Sequence, residues 1–364
     1  MMIRFSFLVL IGSAFYFGCG QSPSEYLEKR TNHHYSSTQG IEVFFHSSRA
    51  VNPGTQVACS NSYFLNFGNL NSLSGSCLIN VPADREVGTL PFGLGNREKS
   101  FQFLEHRIGL QGKTPEELEK LWWKRIEEDP FEEVIVFVHG FNVNFEEAVL
   151  RAAQLKYDLK FPGKVALYTW PAGGDNSSMF GTLFLRNTYE KNLISARSSR
   201  DSFKNFLRKM IGTKKKVHLL VHSMGHQVAL NSVSEISKES GSKPFLKELV
   251  LNAPDYDTGE FILILDSLLK SSERITLYCS PGDSALFASA QIHQTGRLGA
   301  CSKFPGVDVV NVNPIDASLL SLGHGYYSSR PILTDLYQLF LGLGAEKRLF
   351  IRKSFGNENY ILRN

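Results

Sequence analysis

The chain has 364 residues, 42% hydrophobic and 20% charged, which is ordinary for a globular protein with a large buried core. Its 39 basic and 35 acidic residues leave a net charge of +4, with no dense basic stripe and hence no footprint for nucleic acid. No Cys/His group has metal-ligand spacing, so neither a metal nor a cofactor is expected.

Residues 1–20 read as a signal peptide with a lipobox-like end. Met1-Met2-Ile3-Arg4 carries the positive charge, and Phe5 to Phe17 is apolar but short for a membrane span. Gly18 then precedes Cys19, and polar Gln21-Ser22-Pro23-Ser24 follows. A glycine before the first cysteine resembles the lipobox of bacterial lipoproteins, in which that cysteine becomes the lipidated amino terminus; Tyr16 stands where leucine is usual. Plain secretion after a Gly18-x-Gly20 cleavage site is the alternative, and an uncleaved anchor a third. Each places the body outside the cytoplasm, with a lipid-anchored envelope protein preferred. The four other cysteines, Cys59, Cys77, Cys279 and Cys301, suit a compartment that permits disulfides. Of their three pairings, Cys59 with Cys77 and Cys279 with Cys301 are the simplest.

Residues 21–40 look like a tether, and 41–130 like an extension packed on a central sheet. Ile41 to His46 reads as a strand, Asn52 to Ser76 as mostly loop and turn, and Cys77 to Val81 as a short strand ended by Pro82. Thr114-Pro115-Glu116-Glu117 starts a helix with N-cap, proline and capping box in place, and Trp122 falls on its apolar face. Residues 131–345 form the core. Strands are expected at Val134–Val138, Val165–Tyr168, Val217–Val221, Leu249–Leu251, Ile275–Cys279 and Val307–Val312. Helices are expected from Asn144 to about Phe161, near Thr188 to Met210, after Ser223, and at Ile332–Leu343. Lys214-Lys215-Lys216 is a solvated turn, and 346–364 a tail. Alternating strand and helix predicts an α/β fold, a mostly parallel sheet with helices on both faces.

The segment Val217 to His226 carries the chemistry. An apolar strand runs into His222-Ser223-Met224-Gly225 and a helix, the signature of a nucleophile elbow. A serine needs a base and the base an orienting acid, in the chain order Ser, Asp or Glu, His. Asp283, in Ser280-Pro281-Gly282-Asp283 after a strand, and His324, in Gly323-His324-Gly325, supply that order. Asp283 also suits a turn cap. Asp255, in Asn252-Ala253-Pro254-Asp255, is the alternative acid, although helix capping fits it better. His293 is the other histidine downstream of Asp283. His222 and His226 read as packing residues. His139-Gly140-Phe141-Asn142 follows a strand and works through its backbone: the N–H of Phe141 joins that of Met224 as an oxyanion hole. Trp170, Pro171 and the loop Ala172 to Phe180 are candidates for an acyl-pocket wall, with core packing an equal reading of Trp170.

Together these segments resemble an uncharacterised bacterial α/β-hydrolase family, catalogued as a domain of unknown function, over roughly residues 41–343. The resemblance includes Val43-Phe44-Phe45 with Arg49, Ile79 to Gly88, Val136 to Asn142, Tyr168-Thr169-Trp170-Pro171, the elbow, Ala253-Pro254-Asp255, Tyr278 to Leu286, Arg297-Leu298-Gly299 and His324-Gly325-Tyr326. It implies a hydrolase fold with Ser223, Asp283 and His324 as the catalytic set. Val221 departs from the first glycine of G-x-S-x-G and adds a β-branched side chain beside a tight turn. The expected activity is cleavage of a small-molecule or lipid ester, or a thioester. Peptide cleavage, or a non-catalytic surface binding module on the same fold, are the rivals.

Overall fold

The computed structural model of the protein describes residues 40–55, 58–82, 85–91, 99–105, 114–174, 182–241, 243–312, 324–354 and 359–363. The expected signal peptide, Cys19 and nearly all of the tether lie outside these, as do residues 175–180 of the suggested pocket loop.

Eleven strands form one sheet among the described residues: β1 (Gly40–Val51), β2 (Phe64–Asn80), β3 (Gln102–Glu105), β4 (Glu133–Val138), β5 (Lys164–Thr169), β6 (Lys216–His222), β7 (Leu246–Asn252), β8 (Ser272–Cys279), β9 (Asp308–Asn311), β10 (Ile351–Lys353) and β11 (Tyr360–Leu362). Their order is β10-β11-β9-β8-β7-β6-β4-β5-β1-β2-β3. Every pairing from β11 to β1 is parallel, while β2, β3 and β10 join antiparallel at the edges. The α-helices among the described residues are α1 (Pro115–Glu127), α2 (Phe145–Asp158), α3 (Thr182–Ser198), α4 (Arg200–Gly212), α5 (Gly225–Ser240), α6 (Thr258–Ser271), α7 (Ser284–His293) and α8 (Arg330–Phe340). Side chains of α2 and α8 pack on one face of the sheet, and those of α1 and α3 to α6 on the other. Strands covered on both faces are mostly apolar, and β4 is buried along its whole length, apolar from Val134 to Val138.

The structure differs from the sequence reading at four places. Residues 41–130 lie on the sheet only through α1; β1 pairs parallel with β5, and β2 and β3 extend the sheet beyond it. The stretch expected to be loop holds most of β2, because pairing with β1 from Phe64 to Asn80 supplies hydrogen bonds that composition does not foretell. The single helix expected near 188–210 is two, broken at Ser199, whose hydroxyl donates back to the Ser195 carbonyl at 2.8 Å. The tail contributes β10 and β11. By contrast, α1 carries the expected capping box, with Glu117 N–H on Thr114 Oγ1 and Thr114 N–H on Glu117 Oε2. Disulfides join Cys59 to Cys77 and Cys279 to Cys301.

At the amino-terminal end of the parallel strands, Glu248 of β7 is buried with Arg274 3.5 Å away. Burial outweighs the arginine and pushes its carboxyl up from 4.5 to about 7. An acid whose folded pKa is raised contributes stability that is complete below the unfolded value and lost as pH rises through the folded one. The thermal midpoint of Glu248→Gln should therefore gain on the wild type as pH climbs from about 4.5 through about 7. A difference independent of pH would refute the assignment.

Candidate active site

The carboxyl ends of the parallel strands share one edge. The chain reverses its direction of winding there, running from β4 out to β5 and back to β6 on the other side of β4. Open α/β sheets place ligands at such an edge, where loops from neighbouring strands diverge.

Ser223 directly follows β6 and, with Met224, precedes α5; its φ is 51°. This left-handed conformation is costly for a residue with a Cβ and persists only where the surroundings impose it. The surroundings do so through Ser223 N–H on the Asn252 carbonyl at 3.0 Å, and through the Ser223 carbonyl, which accepts from His226 N–H and Asp255 N–H. Two glycines let the turn form. A Cβ on Gly225 would sit 2.5 Å from the His139 carbonyl oxygen, and one on Gly140 would sit 2.7 Å from the Ser223 Cβ. The elbow and the loop after β4 thus touch at van der Waals limits. Val221 pairs in register with Val138 and Leu251 inside the core, so its β-branched side chain points into the sheet packing and leaves the turn intact.

His324 Nε2 lies 2.6 Å from Ser223 Oγ, and its Nδ1 lies 2.6 Å from Asp283 Oδ2. An ionised carboxylate only accepts, so Nδ1 carries the proton and the Nε2 lone pair faces the serine hydroxyl. Asp283 follows β8, and its two oxygens make separate contacts. Its Oδ1 accepts the Leu286 N–H at 3.0 Å as N-cap of α7, while Oδ2 takes His324 and, at 3.0 Å, the Tyr326 hydroxyl. The Cys279–Cys301 disulfide and the Ser280 N–H on the Gly299 carbonyl brace this acid-bearing turn.

Asp255 does not reach His324. Its carboxylate is buried with Arg297, Nε to Oδ1 at 3.0 Å, and accepts from Tyr189 and Ser289 hydroxyls at 2.7 and 2.6 Å. Nor does it cap a helix, since Asp257 caps α6 by accepting from Glu260 N–H. His293 belongs to the same cluster through the Tyr189 hydroxyl at 3.0 Å. Through the Tyr189 and Ser289 hydroxyls this carboxylate ties α3 and α7 to the end of β7, a use of Asp255 that local spacing could not reveal.

Two further histidines beside the elbow, His226 and His222, are buried, and their partners fix each tautomer. His226 Nδ1–H donates to the Ser223 carbonyl at 2.6 Å, and burial takes its pKa down to about 3. His222 reads from sequence as packing, yet its Nε2–H donates to the His324 carbonyl at 3.1 Å while the Tyr327 hydroxyl donates to its Nδ1 at 3.1 Å. It therefore fastens the loop bearing His324 to the elbow strand. Burial, then the neighbouring His324, push its pKa well below the usual range.

After β4, the loop His139-Gly140-Phe141-Asn142 faces the elbow. Among the described residues no acceptor takes the Phe141 or Met224 N–H; the latter lies at the start of α5, where helix N–H groups gather positive potential. Asn192 of α3 accepts from Asn142 N–H at 3.1 Å and Gly173 N–H at 3.0 Å, tying this loop to the one after β5. Trp170 is fully buried, stacks on His139 and donates from its indole to the His139 carbonyl at 2.8 Å. Core packing, not a pocket wall, describes it. No group of acidic, histidine or cysteine side chains fit to hold a metal occurs among the described residues.

No curated protein matches the chain. Residues 114–341 match the model of a family described as alpha/beta hydrolase of unknown function (DUF900), a span covering more than half of the sequence.

Proposed function

The chain belongs to that family and has the α/β-hydrolase fold and a hydrolase-type function, and on this premise we propose that it is a serine hydrolase cleaving a carboxylic ester or thioester. One observation carries the reading: a single hydrogen-bonded row from Ser223 Oγ through both nitrogens of His324 to Asp283. Ser223 Oγ attacks the acyl carbonyl while His324 Nε2 takes its proton. Asp283 stays ionised and steadies the imidazolium through Nδ1–H. The Phe141 and Met224 N–H groups receive the negative charge that develops on the carbonyl oxygen. His324 then protonates the departing alkoxide or thiolate, and water, activated by the same nitrogen, releases the acid from the acyl-enzyme. Alkoxide and thiolate leave with less help than an amine does, which favours small-molecule or lipid esters and thioesters over peptides.

The two disulfides and the apolar segment before Cys19 support a place in the cell envelope, with Cys19 lipidated and the body facing outward. One preparation of native protein tests both statements. Mass spectrometry after a fluorophosphonate probe should find a single adduct on the peptide bearing Ser223, and a lipid-modified Cys19 at the amino terminus. A folded protein that the probe never labels would sink the catalytic reading; a mature chain starting elsewhere with a free amine would sink the anchor.

A further inference from the structure

The mechanism leaves unused a buried cation. Arg49, on β1, is fully buried, and no carboxylate pairs with it among the described residues. Its Nη1 donates to Asn66 Oδ1 and the Ala172 carbonyl, each at 2.8 Å, and its Nη2 to the Val143 carbonyl at 2.8 Å. Guanidinium holds its proton even so: burial lowers its pKa only to about 9. An unpaired buried charge is expensive, and all four partners are neutral oxygens, drawn from β2, from the end of β5 and from the loops after β4 and β5.

The fourth bond has a direction. Arg49 Nε–H donates to Thr169 Oγ1 at 2.9 Å. Thr169 Oγ1 lies 3.1 Å from His139 Nε2, and His139 Nδ1 lies 3.1 Å from the Gly140 carbonyl oxygen. A carbonyl only accepts, so Nδ1 holds the proton and Nε2 the lone pair, which the Trp170 N–H also shares at 3.2 Å; the threonine hydroxyl, already accepting from arginine, donates to Nε2. Each bond in the row therefore points the same way, from the cation to the Gly140 carbonyl. That carbonyl and the Phe141 N–H belong to one peptide unit. Withdrawing electron density at its oxygen makes its N–H a stronger donor, and aligned bonds reinforce one another. Arg49's charge is felt along the row, since it depresses the His139 pKa after burial does.

We propose that Arg49 is a positioning residue for the oxyanion site, acting through Thr169 and His139 to hold and polarise the Gly140–Phe141 peptide. The inference rests on the reading of Ser223 as nucleophile and Phe141 N–H as oxyanion donor. Arg49 touches no substrate. It supplies a positive potential that is balanced only when charge appears on the tetrahedral oxyanion, so its effect falls on the transition state and not on substrate binding.

Thr169→Val keeps the shape and the arginine but cuts the row, while Arg49→Lys keeps the charge and loses the fork. For each, turnover of a short-chain p-nitrophenyl ester per titrated active site should fall roughly tenfold or more, with KM within about threefold. The carbonyl stretch of the trapped acyl-enzyme should move to higher wavenumber, a signature that a loss of folded protein would not produce. The double variant should be little worse than either single change. Unchanged turnover and an unmoved stretch in well-folded Thr169→Val overturn the proposal while leaving the Ser223 reading in place. A wild type that forms no acyl-enzyme overturns both.

Discussion

Replacing Ser223 by Ala is expected to lower turnover of a p-nitrophenyl ester by about 10⁴- to 10⁶-fold, leaving only what the oxyanion donors and binding supply. The elbow itself should survive. Alanine at φ of 51° is no more comfortable than serine, but the bonds that impose the turn run through the backbone of residue 223 and remain. The variant should therefore melt close to the wild type and still bind the substrate, so the loss appears in kcat and not in KM. His324→Ala should be about as severe, and the two changes together hardly worse than either, because the hydroxyl and the imidazole act as one unit. Turnover that persists within about tenfold in well-folded Ser223→Ala would leave the row from 223 to 283 as architecture only.

Ser223 was legible because its signal is local: a buried strand, a turn that demands small neighbours and a helix follow one another within ten residues. His324 and Asp283 were legible for a different reason, the fixed chain order that the elbow imposes. What each partner does beyond that order was not. Asp283 reads equally as cap or acid, and its two oxygens make the two contacts separately. Asp255 reads as a cap since nothing in Pro254-Asp255-Tyr256 points to Arg297, forty-two positions later, or to Tyr189, sixty-six positions earlier.

The same limit hides β2 and the Arg49 row. A polar strand such as Phe64–Asn80 has no apolar alternation to declare it and exists because β1 lies beside it. Arg49 and Thr169 stand 120 residues apart, and only the parallel pairing of β1 with β5 brings them together. The resemblance to a known family includes Arg49 and Thr169 but assigns neither a task. Parallel sheets concentrate chemistry at one edge, yet the residues that tune that edge come from strands far apart in the chain.

The two carboxylates at that edge should separate cleanly. Asp283→Asn keeps the N-cap, because an amide oxygen still accepts the Leu286 N–H, so stability should change little. Opposite His324, however, the amide group donates where a carboxylate accepted. The imidazole is then driven to the tautomer that carries its proton on Nε2, facing Ser223 Oγ with no lone pair to take the hydroxyl proton. Turnover should drop by about 10⁴-fold at neutral pH. Asp255→Asn should behave in the opposite way. It leaves Arg297 buried without its counter-charge, which typically costs about 3–5 kcal/mol, while the row through His324 is untouched. Urea melts should show the loss, and activity per titrated site should stay within about tenfold of the wild type, since the helix that carries Tyr189 also supplies Asn192 to the loop of Phe141. If instead the two variants lose turnover per site equally, Asp283 is not the group that orients His324, and the division of labour between catalysis at 283 and tethering at 255 fails with it.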